Sequence, residues 1–147
     1  MTEAVADHFG EEHTKVKRMK SGDVVAPDVQ AAAERKEISD FLGSLANTDS
    51  GGRLWKQKRA MEKQYDENLL IVEGSHIETW VADIYGGHAA AIRKVIGVCA
   101  WFNLQPNWQA FWIQSNGEEG KVLMCEYIES FFRQVEKKKK KQDEDGE

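Results

Sequence analysis

Three consecutive charges, Glu34, Arg35 and Lys36, follow the small apolar run Ala31-Ala32-Ala33. Charges at the end of a buried-looking segment are costly to desolvate unless they are paired, hydrated or bound to something. On an extended strand, Glu34 and Lys36 point to one face and Arg35 to the other. A carboxylate and an ammonium on one face suit metal-assisted phosphodiester hydrolysis. Glu34 can hold Mg2+ or Mn2+ through oxygen. Lys36 can orient the attacking water and offset the charge that develops at phosphorus. Such a site needs a second carboxylate, and Asp23, in the preceding Ser21-Gly22-Asp23 turn, is the candidate. An E-x-K pattern alone far more often describes a solvated strand face.

The elements that must position these groups follow from the pattern of apolar residues. Residues 14–20, TKVKRMK, alternate weakly and read as an edge strand, and residues 29–35 as a short strand. A helix follows, with Ser39 as its expected N-cap and Ile38, Phe41, Leu42 and Leu45 on one face. Residues 47–52, NTDSGG, are turn formers, and 53–65 form a second helix with Leu54, Met61 and Tyr65 on one face. The run Leu69-Leu70-Ile71-Val72, cut off by Gly74, predicts a strand covered on both faces. A short helix around 77–84 then ends at Gly86-Gly87, and a helix over 88–102, an aromatic strand over 108–114 and a final helix over 118–134 complete the chain. Strands alternating with helices predict an α/β domain with a central sheet.

Composition narrows the functions open to the chain. Its 147 residues are one domain's worth, with 41% apolar and 31% charged residues, an ordinary globular mixture. No run of about 18 apolar residues occurs, so no spanning helix is expected. The acidic opening MTEAVADHFGEEH has no apolar core of a secretory signal, and an intracellular location, cytoplasm or nucleus, is expected. Cys99 and Cys125 lack metal-ligand spacing and read as buried thiols of a reducing compartment. The four histidines are scattered. Net charge is −5, although the tail from Lys137 carries five lysines against four acids, so the body is the more acidic part. Any binding to nucleic acid would have to come from a local basic strip or through a metal ion rather than from a broad basic surface.

Four blocks stand in order along the chain: Gly22-Asp23, then ERKEISDF at 34–41, GRLWKQ at 52–57 and LLIVEG at 69–74. This series resembles the nuclease domain of the XPF family of structure-specific DNA endonucleases, whose pattern reads GD, ERKxxxDF, GRLxxQ and an apolar strand ending in VEG. The resemblance covers residues 14–135. It implies a restriction-endonuclease-like fold, a central mixed sheet flanked by helices. It also implies a homodimer or heterodimer joined through the C-terminal helices, and Mg2+- or Mn2+-dependent cleavage of branched DNA such as flaps, forks or junctions. Residues 1–136 would form this domain and 137–147 a disordered tail, lysine-rich and then acidic.

Carried over position by position, Asp23 and Glu34 are the implied metal ligands and Lys36 the residue beside the attacking water. Arg35 would hold a carboxylate or the scissile phosphate, since a guanidinium fork suits either. Asp40 would orient Lys36 or Arg35 or add an outer carboxylate, or simply stabilise the first turn of its helix. Arg53 and Gln57, one helical turn apart, would reach the site or the DNA backbone. The D-x-R-E motif that opens the family pattern is not among the residues before Thr14, where Asp7, Glu11 and Glu12 are the acids closest to such a role. A stand-alone nuclease of this kind is one expectation. A catalytically inactive partner or scaffold for another nuclease subunit is the alternative, and a DNA-binding module without cleavage is a third. Trp101, Phe102, Phe131 and Phe132 are the expected dimer contacts, with packing inside one subunit as the alternative.

Overall fold

Leu69, Leu70, Ile71 and Val72 are all buried, as a run of large apolar residues with no polar alternation demands of a central strand. They belong to β3 (Glu67–Glu73), which lies between β2 (Ala31–Glu37) and β4 (Trp108–Ile113), parallel to both. A three-residue strand, β1 (Val24–Ala26), pairs antiparallel with β2, so the sheet is mixed and runs in the order β1-β2-β3-β4. The structure, a computed structural model, describes residues 24–46, 52–114 and 117–145. The expected edge strand over 14–20 lies outside the described residues. β1 itself was not foreseen, because Val24-Val25-Ala26 is too short to show a period.

Helices α1 (Ile38–Ala46) and α2 (Gly52–Gln64) connect β2 to β3, and α3 (Thr79–Ile84) and α4 (His88–Asn103) connect β3 to β4. Both connections step the same way across the sheet. The strong preference for one hand of crossover then sets all four helices on one face. There Ile38, Phe41, Leu54, Met61, Val95 and Phe102 pack on Ala32, Leu70 and Val72. Helix α5 (Gly117–Asp145) covers the opposite face, with Met124, Ile128, Phe131 and Phe132 against Ala31, Ala33, Leu69 and Ile71. The alanines of β2 are poor strand formers, but each is fully enclosed between the two helical layers, and small side chains let the layers approach.

Three expectations are corrected here. The cap of α1 is Glu37 rather than Ser39: one Glu37 carboxylate oxygen accepts from the backbone N–H of Ser39 at 3.0 Å and of Asp40 at 3.1 Å. The Ser39 hydroxyl instead accepts from the Glu78 N–H at 3.0 Å, tying α1 to the start of α3. Helix α5 does not stop near residue 134 but continues through Asp145. Its lysine run supplies partners, with Lys139 bonding Asp66 at 2.9 Å and Lys138 pairing with Glu67 at the entry to β3. Finally, Phe102, Phe131 and Phe132 are core residues of one chain, and of the four expected dimer contacts Trp101 alone is exposed.

Both cysteines are buried, and burial pushes the Cys99 thiol up to about 11, which leaves it protonated and inert. Among the described residues, no helix is long and apolar enough to cross a membrane.

Candidate active site

The carboxyl ends of β2 and β3 place six charged or turn-forming residues side by side: Glu34, Arg35, Lys36 and Glu37 from β2, and Glu73 and Gly74 from β3. The parallel register sets Lys36 opposite Val72 and Glu37 opposite Glu73. In open α/β sheets, ligands collect in the crevice beyond the carboxyl ends of the strands, because the loops that leave there splay apart. The sequence makes this edge by ending two apolar runs with charge, and Gly74 turns the chain away with a φ of 114°, open only to glycine without strain. The turn is then sealed. Gly74 donates its N–H to the Ile113 carbonyl at 2.9 Å, and its own carbonyl accepts from the Trp112 indole at 2.8 Å.

Strand alternation separates the charges as the sequence predicts. Glu34 and Lys36 share one face, and Lys36 Nζ stands 3.8 Å from Glu34 Oε1. Both side chains are largely buried, and Glu34 is only 8% exposed as a residue. A separation of 3.8 Å is attractive but longer than a hydrogen bond, so the two charges attract without a hydrogen bond between them.

Arg35 points to the other face. Its Nε donates to Glu73 Oε2 at 2.7 Å, a charge-assisted bond to a carboxylate that is 8% exposed. The sequence offered Arg35 a carboxylate or a phosphate, and the structure supplies the carboxylate. Glu73 itself was missed. The signal was available, since an acid ends the buried strand at the VEG position, but its partner lies 38 residues away and no local pattern reveals such a pair. Glu37, the helix cap, was missed for a different reason: it reads as one more charge in a charged run.

The remaining candidates are less gathered. Asp40 sits exposed in the first turn of α1. Its carboxylate makes no ion pair with Lys36 or Arg35 among the described residues. It still suits the positive end of the helix. Arg53 is exposed at the start of α2, and Gln57 is half-buried one turn on. The Gln57 Oε1 atom is fully buried with no hydrogen-bond partner among the described residues, an acceptor left open. Asp23 lies outside the described residues. The neighbouring pair in the β1–β2 ladder is Val24 with Ala33. Among the described residues, no group of three or more His, Cys, Asp or Glu could hold a metal by itself.

The chain matches, over residues 5–124, the family model described as the ERCC4 domain. Two solved structures of XPF from Aeropyrum pernix share the architecture. The one in complex with DNA has a TM-score of 0.56 and 21% identity, covering 80% of this chain and 52% of that chain. The other has a TM-score of 0.54 and 24% identity over the same shares. The chain thus spans about half the length of the solved chains it matches. At these identities the likeness is one of fold, a mixed four-stranded sheet flanked by helices of the restriction-endonuclease-like kind. No curated protein matches the sequence.

Proposed function

Because the chain belongs to the ERCC4-domain family, a family of structure-specific DNA nucleases, we propose that it is a divalent-metal-dependent endonuclease that hydrolyses phosphodiester bonds in branched DNA: a flap, fork or junction. The observation that carries this reading is the Glu34–Lys36 pair, a largely buried carboxylate and ammonium held 3.8 Å apart at the carboxyl end of a parallel strand. A solvated strand face would expose both groups; these two are sheltered yet only loosely engaged with each other.

The donor chemistry fits Mg2+ or Mn2+. The candidates are carboxylates alone, without imidazole or thiolate, and such hard cations take one or two carboxylates together with water and phosphate oxygens. Glu34 would supply one ligand and Asp23 the other. When bound, the ion would polarise the scissile phosphate and acidify the attacking water.

The chain's own residues do the rest. Lys36 holds the water by one N–H and offers another to the non-bridging phosphate oxygen, where negative charge grows in the transition state. Glu34 keeps the Lys36 ammonium in place. Arg35, clamped by Glu73, positions the end of β2 against β3 and so fixes the direction in which Glu34 and Lys36 project. Asp40 adds negative charge at the α1 N-terminus beside the site. Arg53 contacts the DNA backbone, and Gln57, half-buried one turn on, lies on the same face of α2.

The test is cleavage of end-labelled flap, fork and four-way junction DNA against duplex of the same length, with Mg2+, Mn2+ or EDTA. Incision of branched substrates at least about tenfold faster than duplex, and only with metal, is expected. Failure to cut any substrate would favour the reading of a non-catalytic partner subunit.

Dimerisation is a further part of this proposal, with the interface moved from the aromatic residues of the core to exposed ones. Val122 and Leu123 of α5 and Phe111 of the edge strand β4 are all exposed, beside a groove of about 450 Å³. An edge strand and an apolar helix face suit a self-complementary contact. Sedimentation should show a dimer at micromolar concentration and a monomer for Leu123→Glu. A wild-type monomer under those conditions would contradict this interface.

A further inference from the structure

Among the described residues, two helices of this acidic chain form a strongly basic pair. Helix α2 has five Lys and Arg against the single acid Glu62, and α4 has Arg93 and Lys94 with no acid at all. Between them runs a groove of about 570 Å³, within the range of nucleotide-sized sites, lined by Trp55 and Arg59 of α2 and by Arg93, Lys94 and Trp101 of α4. Helical spacing makes the groove. Trp55 and Arg59 are four residues apart, and Arg93, Gly97 and Trp101 repeat at the same interval, so both rows face inward. Gly97 leaves the floor open, with no atom of another element within 4 Å of where a Cβ would stand.

The indole groups are braced. Trp55 stacks on Phe102 with centroids 5.8 Å apart and planes at 6°, and Trp101 meets Trp55 edge-on at 5.2 Å. Lys58 Nζ lies 5.3 Å from the Trp101 ring centroid, yet Trp101 remains 41% exposed. A tryptophan held rigidly by its neighbours, left open to solvent and surrounded by cations, is poorly explained by packing. Arg59, Arg93 and Lys94 make no ion pair with one another's helices or with any acid among the described residues.

We propose that this groove binds single-stranded nucleic acid, with a base stacked on Trp101 and the flanking phosphates held by Arg59, Arg93 and Lys94. An apolar partner would leave three cations without counter-charges. A lone inorganic anion would leave the aromatic wall unused. A nucleotide strand satisfies both, since any base presents a face for stacking and every linkage carries a charge. From Arg93 to Trp101 the helix rises about 12 Å at 1.5 Å per residue, room for a base between two phosphates. This site is separate from the Glu34–Lys36 pair, so its binding needs neither metal nor cleavage.

The experiment measures anisotropy of a labelled oligothymidylate about 12 nucleotides long, in EDTA and about 50 mM salt, where phosphate contacts are strong. It uses wild type, Trp101→Leu and the double variant Arg93→Glu/Lys94→Glu, with circular dichroism to confirm folding. An abasic strand of equal length and thymidine monophosphate serve as competitors. The expected results are micromolar binding, at least about tenfold weakening in the charge-reversed variant and in Trp101→Leu, and at least about tenfold weaker competition by the abasic strand, the size of one or two lost stacking contacts. Equal competition by the abasic strand would overturn the stacking role. Equal competition by the mononucleotide at the same nucleotide concentration would overturn the strand. Unchanged affinity in the folded charge-reversed variant would remove the groove from the interaction. Self-association that buries Trp101 and excludes the oligonucleotide would assign the groove to a second copy of this chain and overturn the proposal.

Discussion

Glu34→Gln is expected to lower metal-dependent cleavage of a forked substrate by about a thousandfold or more, roughly 4 kcal/mol of lost transition-state stabilisation. The amide keeps the size of the carboxylate but loses its charge, and so both its ligand strength and its hold on Lys36, 3.8 Å away. Lys36→Met should cost about a hundredfold, the usual effect of removing one donor aimed at developing charge. Neither change should unfold the protein, because each leaves a side chain of similar volume at the strand end. Single-turnover rates and urea unfolding on the same preparations separate the two effects. Equal cleavage by wild type and both variants would mean that a contaminant does the cutting.

Arg35→Ala should act on the fold. It strands the Glu73 carboxylate, which is 8% exposed, without the guanidinium that bonds it at 2.7 Å. Breaking a sheltered pair from one side typically costs about 3 kcal/mol, whereas replacing both partners by apolar groups of similar volume is often neutral. For a domain of this size the single change should lower Tm by about 10 °C. The double variant Arg35→Met/Glu73→Met should recover most of that loss. If Arg35 serves only to fix β2 against β3, cleavage should recover with stability. Recovered stability without recovered cleavage would give Arg35 a contact with substrate instead.

The contrast between Glu34 and Arg35 shows what was legible in the sequence. Alternation along a strand is a local rule, so the shared face of Glu34 and Lys36 and the opposite face of Arg35 follow from their spacing alone. The same holds for β3, whose unbroken apolar run needs cover on both sides, and for the helices that supply that cover. Pairing across the sheet is not local. Glu73 is next to Arg35 only because β2 and β3 align in parallel with Glu37 opposite Glu73. Whether an aromatic side chain turns inward or outward was equally hidden. Trp101 and Phe102 are adjacent in sequence, but a helix carries one to solvent and the other to the core. The lysine-rich end of α5 looked like a solvated tail because composition alone does not reveal that Asp66 and Glu67 wait beside it as counter-charges. At α1, the cap came from Glu37, a longer side chain reaching forward, where the shorter Ser39 was the usual choice.

Position 23 carries the second carboxylate on which the proposed metal site depends. The proposed chemistry requires that the carboxylates of Asp23 and Glu34 bind one ion together, next to the Lys36 ammonium. Mn2+ binding, followed by the loss of its free electron paramagnetic signal, measures this without reference to cleavage. One ion bound per chain is expected in the wild type, with at least about tenfold weaker binding in both Asp23→Asn and Glu34→Gln, since each removes one of two charged ligands. Wild-type affinity in either variant, with the fold intact, would contradict the shared site.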